Sequence, residues 1–222
     1  MIVRYADTPC GPYDEMMLIP GAFDVPSKNK KRLRITRIYV SQKDTMYNGR
    51  VNWNIPKHLA RFTFSSPPVS ASNPTPKHLQ ISLFPPNPAA INPFFSATVQ
   101  PFTFPPGLPL NTTWLPSYYG TTTLPPLPSA LSALDGAWSA DDEQIDVMYA
   151  PGTDEWCEFS VIMKSRRARC CWVKVEGPEA GSEEEAEAQR WWPQGKKWKP
   201  WAVGLWMENA DLEITEGIKW KS

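Results

Sequence analysis

Lys57 sits in surroundings suited to carbonyl chemistry. In the run Tyr47-Asn48-Gly49-Arg50-Val51-Asn52-Trp53-Asn54-Ile55-Pro56-Lys57-His58-Leu59-Ala60 it follows a proline and is flanked by aromatic and apolar residues. A primary amine that condenses with a ketone or aldehyde gives an imine. Once protonated, the imine is an electron sink that eases loss of carbon dioxide from a β-keto acid, loss of a neighbouring proton, or an aldol-type bond change. The amine must first be free. An ordinary lysine has a pKa of about 10.4, so at pH 7 only about one amine in 2,500 is unprotonated. Bringing the pKa to about 7 means disfavouring the ammonium by roughly 4–5 kcal/mol, through desolvation or a neighbouring cation. His58, next in the chain, is a candidate proton shuttle beside the imine.

These residues lie in two motifs that together resemble the acetoacetate decarboxylase family. Gly49-Arg50 is followed after five residues by Pro56-Lys57, the spacing of the family's Gly-Arg and Pro-Lys-Lys-Leu, and Gly11-Pro12-Tyr13-Asp14-Glu15 is similar to its Gly-x-Tyr-x-Glu segment. Residues 201–210 resemble a late strand of the family, and Trp53 to Ala60 has the form expected of its fungal branch, where secondary metabolism is the setting. The resemblance implies that Lys57 is the Schiff-base lysine and Glu15 the carboxylate near the reacting carbon. It also implies that the substrate is a small carbonyl metabolite, that no cofactor takes part, and that a homo-oligomer is possible. The fold it implies is mainly β (α+β), a distorted, partly open β-barrel with few helices and the pocket at its centre.

Three departures bear on function. His58 stands where the family has a second lysine, and with an ordinary pKa near 6.5 it is mostly neutral at pH 7 and pushes less on Lys57. Val51 stands where a glutamate often follows Gly-Arg. The Gly11 to Glu15 motif comes soon after Met1, whereas the family has a longer leading stretch that carries an arginine and a glutamate of its active site. The expectation is therefore either a truncated gene model or a shortened barrel with a more open pocket. Three functions stay open: a Schiff-base lyase acting on a β-keto acid or related carbonyl compound, a non-decarboxylating binding or cyclising protein on the same barrel, and an inactive truncated member.

The elements that must position these residues read mostly as strands. Residues 1–5 and 13–20 form a hairpin-like opening around a Pro/Gly turn, and 35–40 alternate as a half-buried strand does. The basic run 28–34 reads as a solvated loop. Residues 67–128 hold 16 of the 25 prolines, which excludes long helices; their aromatics argue for irregular β structure, with strands at 79–84 and 94–104. Residues 156–164 and 168–176 read as strands joined by a hairpin at Ser165-Arg166-Arg167, and 201–214 as another strand. Residues 177–194 read as an acidic, solvated insertion with a short exposed helix at 182–190.

Composition narrows the partners. A chain of 222 residues with 41% apolar content is long enough for one domain with a sizeable core, so 1–222 is read as a single domain. The 23 basic and 23 acidic residues cancel, leaving no field to gather nucleic acid or draw the chain onto an anionic membrane. No apolar run reaches the length of a membrane span, and the first residues lack the apolar core of a signal peptide; the cytoplasm is the expected compartment. The four cysteines lack Cys-x-x-Cys spacing and are expected as free thiols. With only His58 and His78 as imidazoles, a His-rich metal site cannot be built from one chain.

Overall fold

The computed structural model describes residues 1–26, 28–69, 75–116, 120–128, 151–176, 182–183, 188, 191 and 201–221. In chain order the elements are β1 (Ile2–Tyr5), β2 (Tyr13–Leu18), β3 (Gly21–Val25), β4 (Lys30–Arg34), β5 (Arg37–Val40), α1 (Lys43–Trp53), β6 (Lys57–Leu59), β7 (Arg61–Ser65), β8 (Leu79–Phe84), β9 (Phe95–Pro101) and β10 (Leu108–Asn111). A 3-10 turn (Thr112–Trp114), β11 (Thr121–Leu124), β12 (Trp156–Glu176), β13 (Val203–Ile214) and β14 (Ile218–Trp220) complete them. Contacts group the chain into two compact units: Met1–Ala60, Asn111–Met163 and Asp211–Ser222 form the first, and Arg61–Leu110 and Lys164–Ala210 the second.

In the first unit β1 and β2 pair antiparallel around the turn at Gly11, whose φ of 84° needs a residue without a Cβ. β2 pairs antiparallel with β5, and β5 pairs parallel with β6, giving the order β1-β2-β5-β6. Parallel neighbours need a crossover, and α1 supplies it. A second set of strands in this unit pairs β3 with β4, β4 with β11, and β11 and β14 with the start of β12. The core between them is Met17, Ile35, Ile38, Val40, Met46, Ile55, Leu59, Leu124, Cys157 and Phe159, with Trp53 packed against it. Each such side chain contributes roughly 1.5–3 kcal/mol by leaving water, and Ile38→Ala would cost about 2–5 kcal/mol. Within this core the Cys157 Sγ lies 3.8 Å from the Asn52 carbonyl of α1, and burial pushes its pKa up to about 11.

In the second unit β7, β8 and β9 form an antiparallel meander, and β9 pairs with the end of β12. β8 matches the expected 79–84, and β9 and β13 fall within the strands expected at 94–104 and 201–214. None of the strand orders returns to its first strand, so the framework is open and mainly β, with one helix among the described residues. Among those residues no helix is long and apolar enough to cross a membrane.

Two expectations fail here. The basic run is no solvated loop: from Lys30 it is β4. Lys30 and Arg32 reach Glu158 at 3.2 and 3.8 Å, and Arg34 lies over the rings of Phe23 and Trp156 at 4.7 and 5.7 Å. Their aliphatic stems cover apolar surface while the charged ends find partners. The hairpin at Ser165-Arg166-Arg167 does not exist either, because β12 runs unbroken for 21 residues. None of the three residues takes the positive φ a tight hairpin uses. Instead the Ser165 hydroxyl donates to the Glu208 carbonyl at 2.8 Å, and Arg167 pairs with the Glu208 carboxylate at 3.2 Å.

The expected insertion at 177–194 lies outside the described residues apart from Ser182, Glu183, Ala188 and Trp191. Of these, Ala188 and Trp191 are buried, and the Trp191 ring stacks on Phe94 at 5.6 Å.

Candidate functional site

The site is built on the face of β2-β5-β6 that α1 covers. Register sets the face. Glu15 lies opposite Val40, Val40 opposite Leu59, and Ile38 opposite Lys57. Side chains two apart on a strand share a face, so Glu15, Met17, Ile38, Val40, Lys57 and Leu59 all point to the core side, while His58 and Tyr39 point to the other. Lys57 is 4% exposed and Glu15 3%.

Helix α1 sets the depth of Lys57. Its first turn is fixed by Gln42, whose side chain accepts from the Thr45 N–H at 3.2 Å and donates to the Cys10 carbonyl in the β1–β2 turn. Its end is fixed by Asn54 at φ 57° and ψ 24°, a left-handed conformation that asparagine tolerates. There the Asn54 N–H donates to the Arg50 carbonyl and the Ile55 N–H to the Gly49 carbonyl, at 3.1 and 3.0 Å. The chain turns at Pro56 and enters β6.

The spacing from Gly49-Arg50 to Pro56-Lys57 now has a physical account. A Cβ at Gly49 would lie 2.7 Å from both Cδ and Cε of Lys57, so only glycine lets the lysine stem lie against the helix. Arg50, 2% exposed, donates to three backbone carbonyls: that of Lys57 at 3.2 Å, of Pro128 at 2.7 Å and of Pro151 at 3.1 Å. Burial lowers its pKa to about 10. One residue thus clears space for the Lys57 side chain and the next anchors the Lys57 backbone.

At the centre the Lys57 Nζ lies 2.9 Å from Glu15 Oε2, donates to Thr45 Oγ1 at 2.9 Å, and sits 5.4 Å from the centre of the Tyr13 ring. The Tyr5 hydroxyl donates to the other carboxylate oxygen, Glu15 Oε1, at 3.3 Å. Tyr5 and Tyr13 are cross-strand partners with ring centroids 4.5 Å apart. Burial first, and then the Glu15 charge, raise Tyr5 far above the ordinary tyrosine range; burial also raises Tyr13, with Lys57 opposing. Both phenols keep their protons at neutral pH.

Of the residues singled out in the sequence, the structure brings Lys57 and Glu15 together and does not bring His58 to them. His58 is half-buried beside Tyr39, ring centroids 6.1 Å apart, and its pKa is pushed down to about 3 by burial, then by Arg37 and Arg50. It is neutral at pH 7. Asp14 pairs outward with Arg4 at 3.2 Å, and Tyr47 is 44% exposed. Sequence reading missed Tyr5 and Thr45. Pairing the hairpin so that Tyr5 faces Tyr13 would have found the first; Thr45 carries no local signal, since only the docking of α1 brings it to the lysine. Among the described residues no three of His, Cys, Asp and Glu converge as metal ligands would.

No protein-family model matches the sequence, and no curated protein matches it. Solved structures do match. The acetoacetate decarboxylase of Legionella pneumophila superposes with a TM-score of 0.57 at 15% identity, covering 99% of this chain and 71% of the other. A second acetoacetate decarboxylase structure matches at 14% identity and TM-score 0.46, over 81% of this chain and 61% of its own. The enduracididine biosynthesis enzyme MppR, complexed with pyruvate, matches at 12% identity and TM-score 0.46, over 94% of this chain and 64% of its own. The chain thus spans less than two thirds of the latter two. The Legionella match places it in the acetoacetate decarboxylase-like fold.

Proposed function

We propose that Lys57 forms a Schiff base with a small carbonyl compound and that the protein is a carbon–carbon lyase acting on a β-keto acid or a related metabolite. The observation that carries this reading is the buried Lys57 amine held between the Glu15 carboxylate and the Thr45 hydroxyl, at 2.9 Å from each. Glu15 takes a proton from the ammonium, and the freed amine attacks the substrate carbonyl to give a carbinolamine. Glu15 returns the proton to the carbinolamine hydroxyl, which leaves as water, and the iminium remains. In a β-keto acid the bond to the carboxylate then breaks, carbon dioxide leaves, and the electron pair enters the iminium to give an enamine. Protonation at carbon and hydrolysis release the product ketone and regenerate Lys57. The proton taken up at carbon and the water of hydrolysis come from solvent.

A second reading, a binding or cyclising protein that does not decarboxylate, is favoured by His58. Neutral and on the far face of β6, it places no cation beside Lys57 to loosen the ammonium proton. The two readings separate in one experiment. The protein is incubated with acetoacetate at about pH 6 to 9, treated with borohydride and mapped by mass, with carbon dioxide release followed in parallel and Lys57→Arg as control. An adduct confined to Lys57 with carbon dioxide release supports the lyase. An adduct without release supports the cyclising protein, and no adduct over the whole range discards Schiff-base chemistry and leaves a binding protein.

A further inference from the structure

The first turn of α1 is capped by an unusual residue. Serine, threonine, asparagine and aspartate are the preferred side chains at this position, and glutamine is not among them. Gln42 nevertheless accepts from the Thr45 N–H at 3.2 Å through Oε1, and through Nε2 it donates to the Cys10 carbonyl. A serine would cap the helix and is too short to reach Cys10. The length of the glutamine therefore serves the second contact, which crosses from the helix to the β1–β2 turn.

That turn is a firm anchor. The Gly11 N–H donates to the Thr8 carbonyl at 2.9 Å, the Cys10 N–H to Thr8 Oγ1 at 3.1 Å, and Thr8 Oγ1 to the Gly11 carbonyl at 2.6 Å. One residue before Gln42, Ser41 is tied to β2: its N–H donates to the Asp14 carbonyl at 3.0 Å, and its Oγ accepts from the Asp14 N–H at 2.9 Å. The attachment at Asp14 sets the distance between helix and hairpin, and the one at Cys10 stops the helix from pivoting about it. Lys57 depends on both because its amine is shared. Glu15, next to Asp14, belongs to the hairpin and Thr45 to the helix, and Nζ lies 2.9 Å from each. A slide of about 0.7 Å between the two elements takes one of these contacts to about 3.6 Å, outside hydrogen-bond range. We infer that Gln42 is a positioning residue for imine formation: by tying the helix turn that carries Thr45 to the hairpin that carries Glu15, it holds the Lys57 amine in place for attack on a carbonyl carbon. It acts through Thr45 and Glu15, so its effect falls on the rate of attack and not on the binding of substrate.

This inference rests on the Schiff-base reading, and the test separates the two. Borohydride trapping is timed over a range of acetoacetate concentrations for the wild type, Gln42→Ser and Gln42→Met, beside urea unfolding of each. Gln42→Ser keeps a cap and loses the tie to Cys10; Gln42→Met, close to glutamine in size, loses both. Positioning by Gln42 requires Gln42→Ser to unfold close to the wild-type urea midpoint, since serine is the better cap. It also requires this variant to trap at least about tenfold more slowly at saturating acetoacetate, with the half-saturating concentration unchanged. Gln42→Met should trap as slowly and unfold earlier. Trapping at the wild-type rate in Gln42→Ser, or a change confined to the half-saturating concentration, overturns the inference and leaves Lys57 chemistry standing. Slower trapping only in step with an earlier urea midpoint overturns it as well, as plain destabilisation. A wild type that forms no adduct overturns both readings.

Discussion

Gly49→Ala separates the placement of the Lys57 amine from the stability of the fold. The new methyl would lie 2.7 Å from Cδ and Cε of Lys57, where ordinary van der Waals contact begins near 3.4 Å, so the stem must withdraw by at least about 0.7 Å. The obstacle is the far part of a side chain and the helix backbone is untouched, so the lysine moves and the helix stays. Withdrawal stretches the 2.9 Å contacts to Thr45 and Glu15 beyond useful length. Losing them costs about 1.5–3 kcal/mol, partly offset by about 1 kcal/mol from alanine's better helix propensity. Net stability should fall by no more than about 2 kcal/mol in urea unfolding, while a misplacement of this size slows imine formation by about a hundredfold. The assay is borohydride trapping with acetoacetate beside urea melts of the same preparations. Trapping at the wild-type rate would show that Gly49 does not position the amine; a large stability loss with trapping intact would show that the backbone moved instead.

His58 gives a pH signature. Its folded-state pKa lies near 3 against about 6.5 unfolded, so the unfolded chain binds the extra proton, and stability is full above pH 6.5 and falls as pH drops toward 3. Between pH 7 and 5 urea unfolding should show a loss of about 1 kcal/mol, half the unscreened figure because the residue keeps some contact with solvent, and His58→Gln should remove that slope. His58→Lys should leave the rate of Lys57 trapping unchanged, because the side chain faces away from the amine; faster trapping would return this position to the site. Arg50→Met removes three hydrogen bonds to backbone carbonyls, one of them buried, and should cost about 3 kcal/mol by urea unfolding, with Lys57 trapping lost in parallel.

How much could be read from the sequence differs from residue to residue. Lys57 and Glu15 could be paired because their motifs carry register: strand alternation around each places both on one face, and the same alternation turns His58 away. Leu79 to Phe84 was readable because its apolar and polar residues alternate between turn formers. Helix α1 was not readable. Its sequence, KDTMYNGRVNW, is polar and weakly periodic, and its cap is a glutamine instead of the usual serine, threonine or aspartate. With the helix went Thr45. The arginines at 166 and 167 read as a turn because charge commonly marks one, yet β12 runs through both, and Arg167 pairs with Glu208. The lysines and arginines of β4 misled for the same reason.

The Cys157 thiol turns the core around Lys57 into its own clock. It is fully buried against the Asn52 carbonyl of α1, and burial keeps it from becoming a thiolate, whereas Cys170 is exposed. A thiol reagent therefore meets Cys170 at once and Cys157 only when the helix lifts from its sheet. Modification mapped by mass to Cys157, apart from the likewise buried Cys171, measures how often the enclosure around the lysine opens on its own, with no substrate present. If carbonyl compounds enter by that motion, their fastest rate of imine formation cannot exceed the rate at which Cys157 becomes reactive.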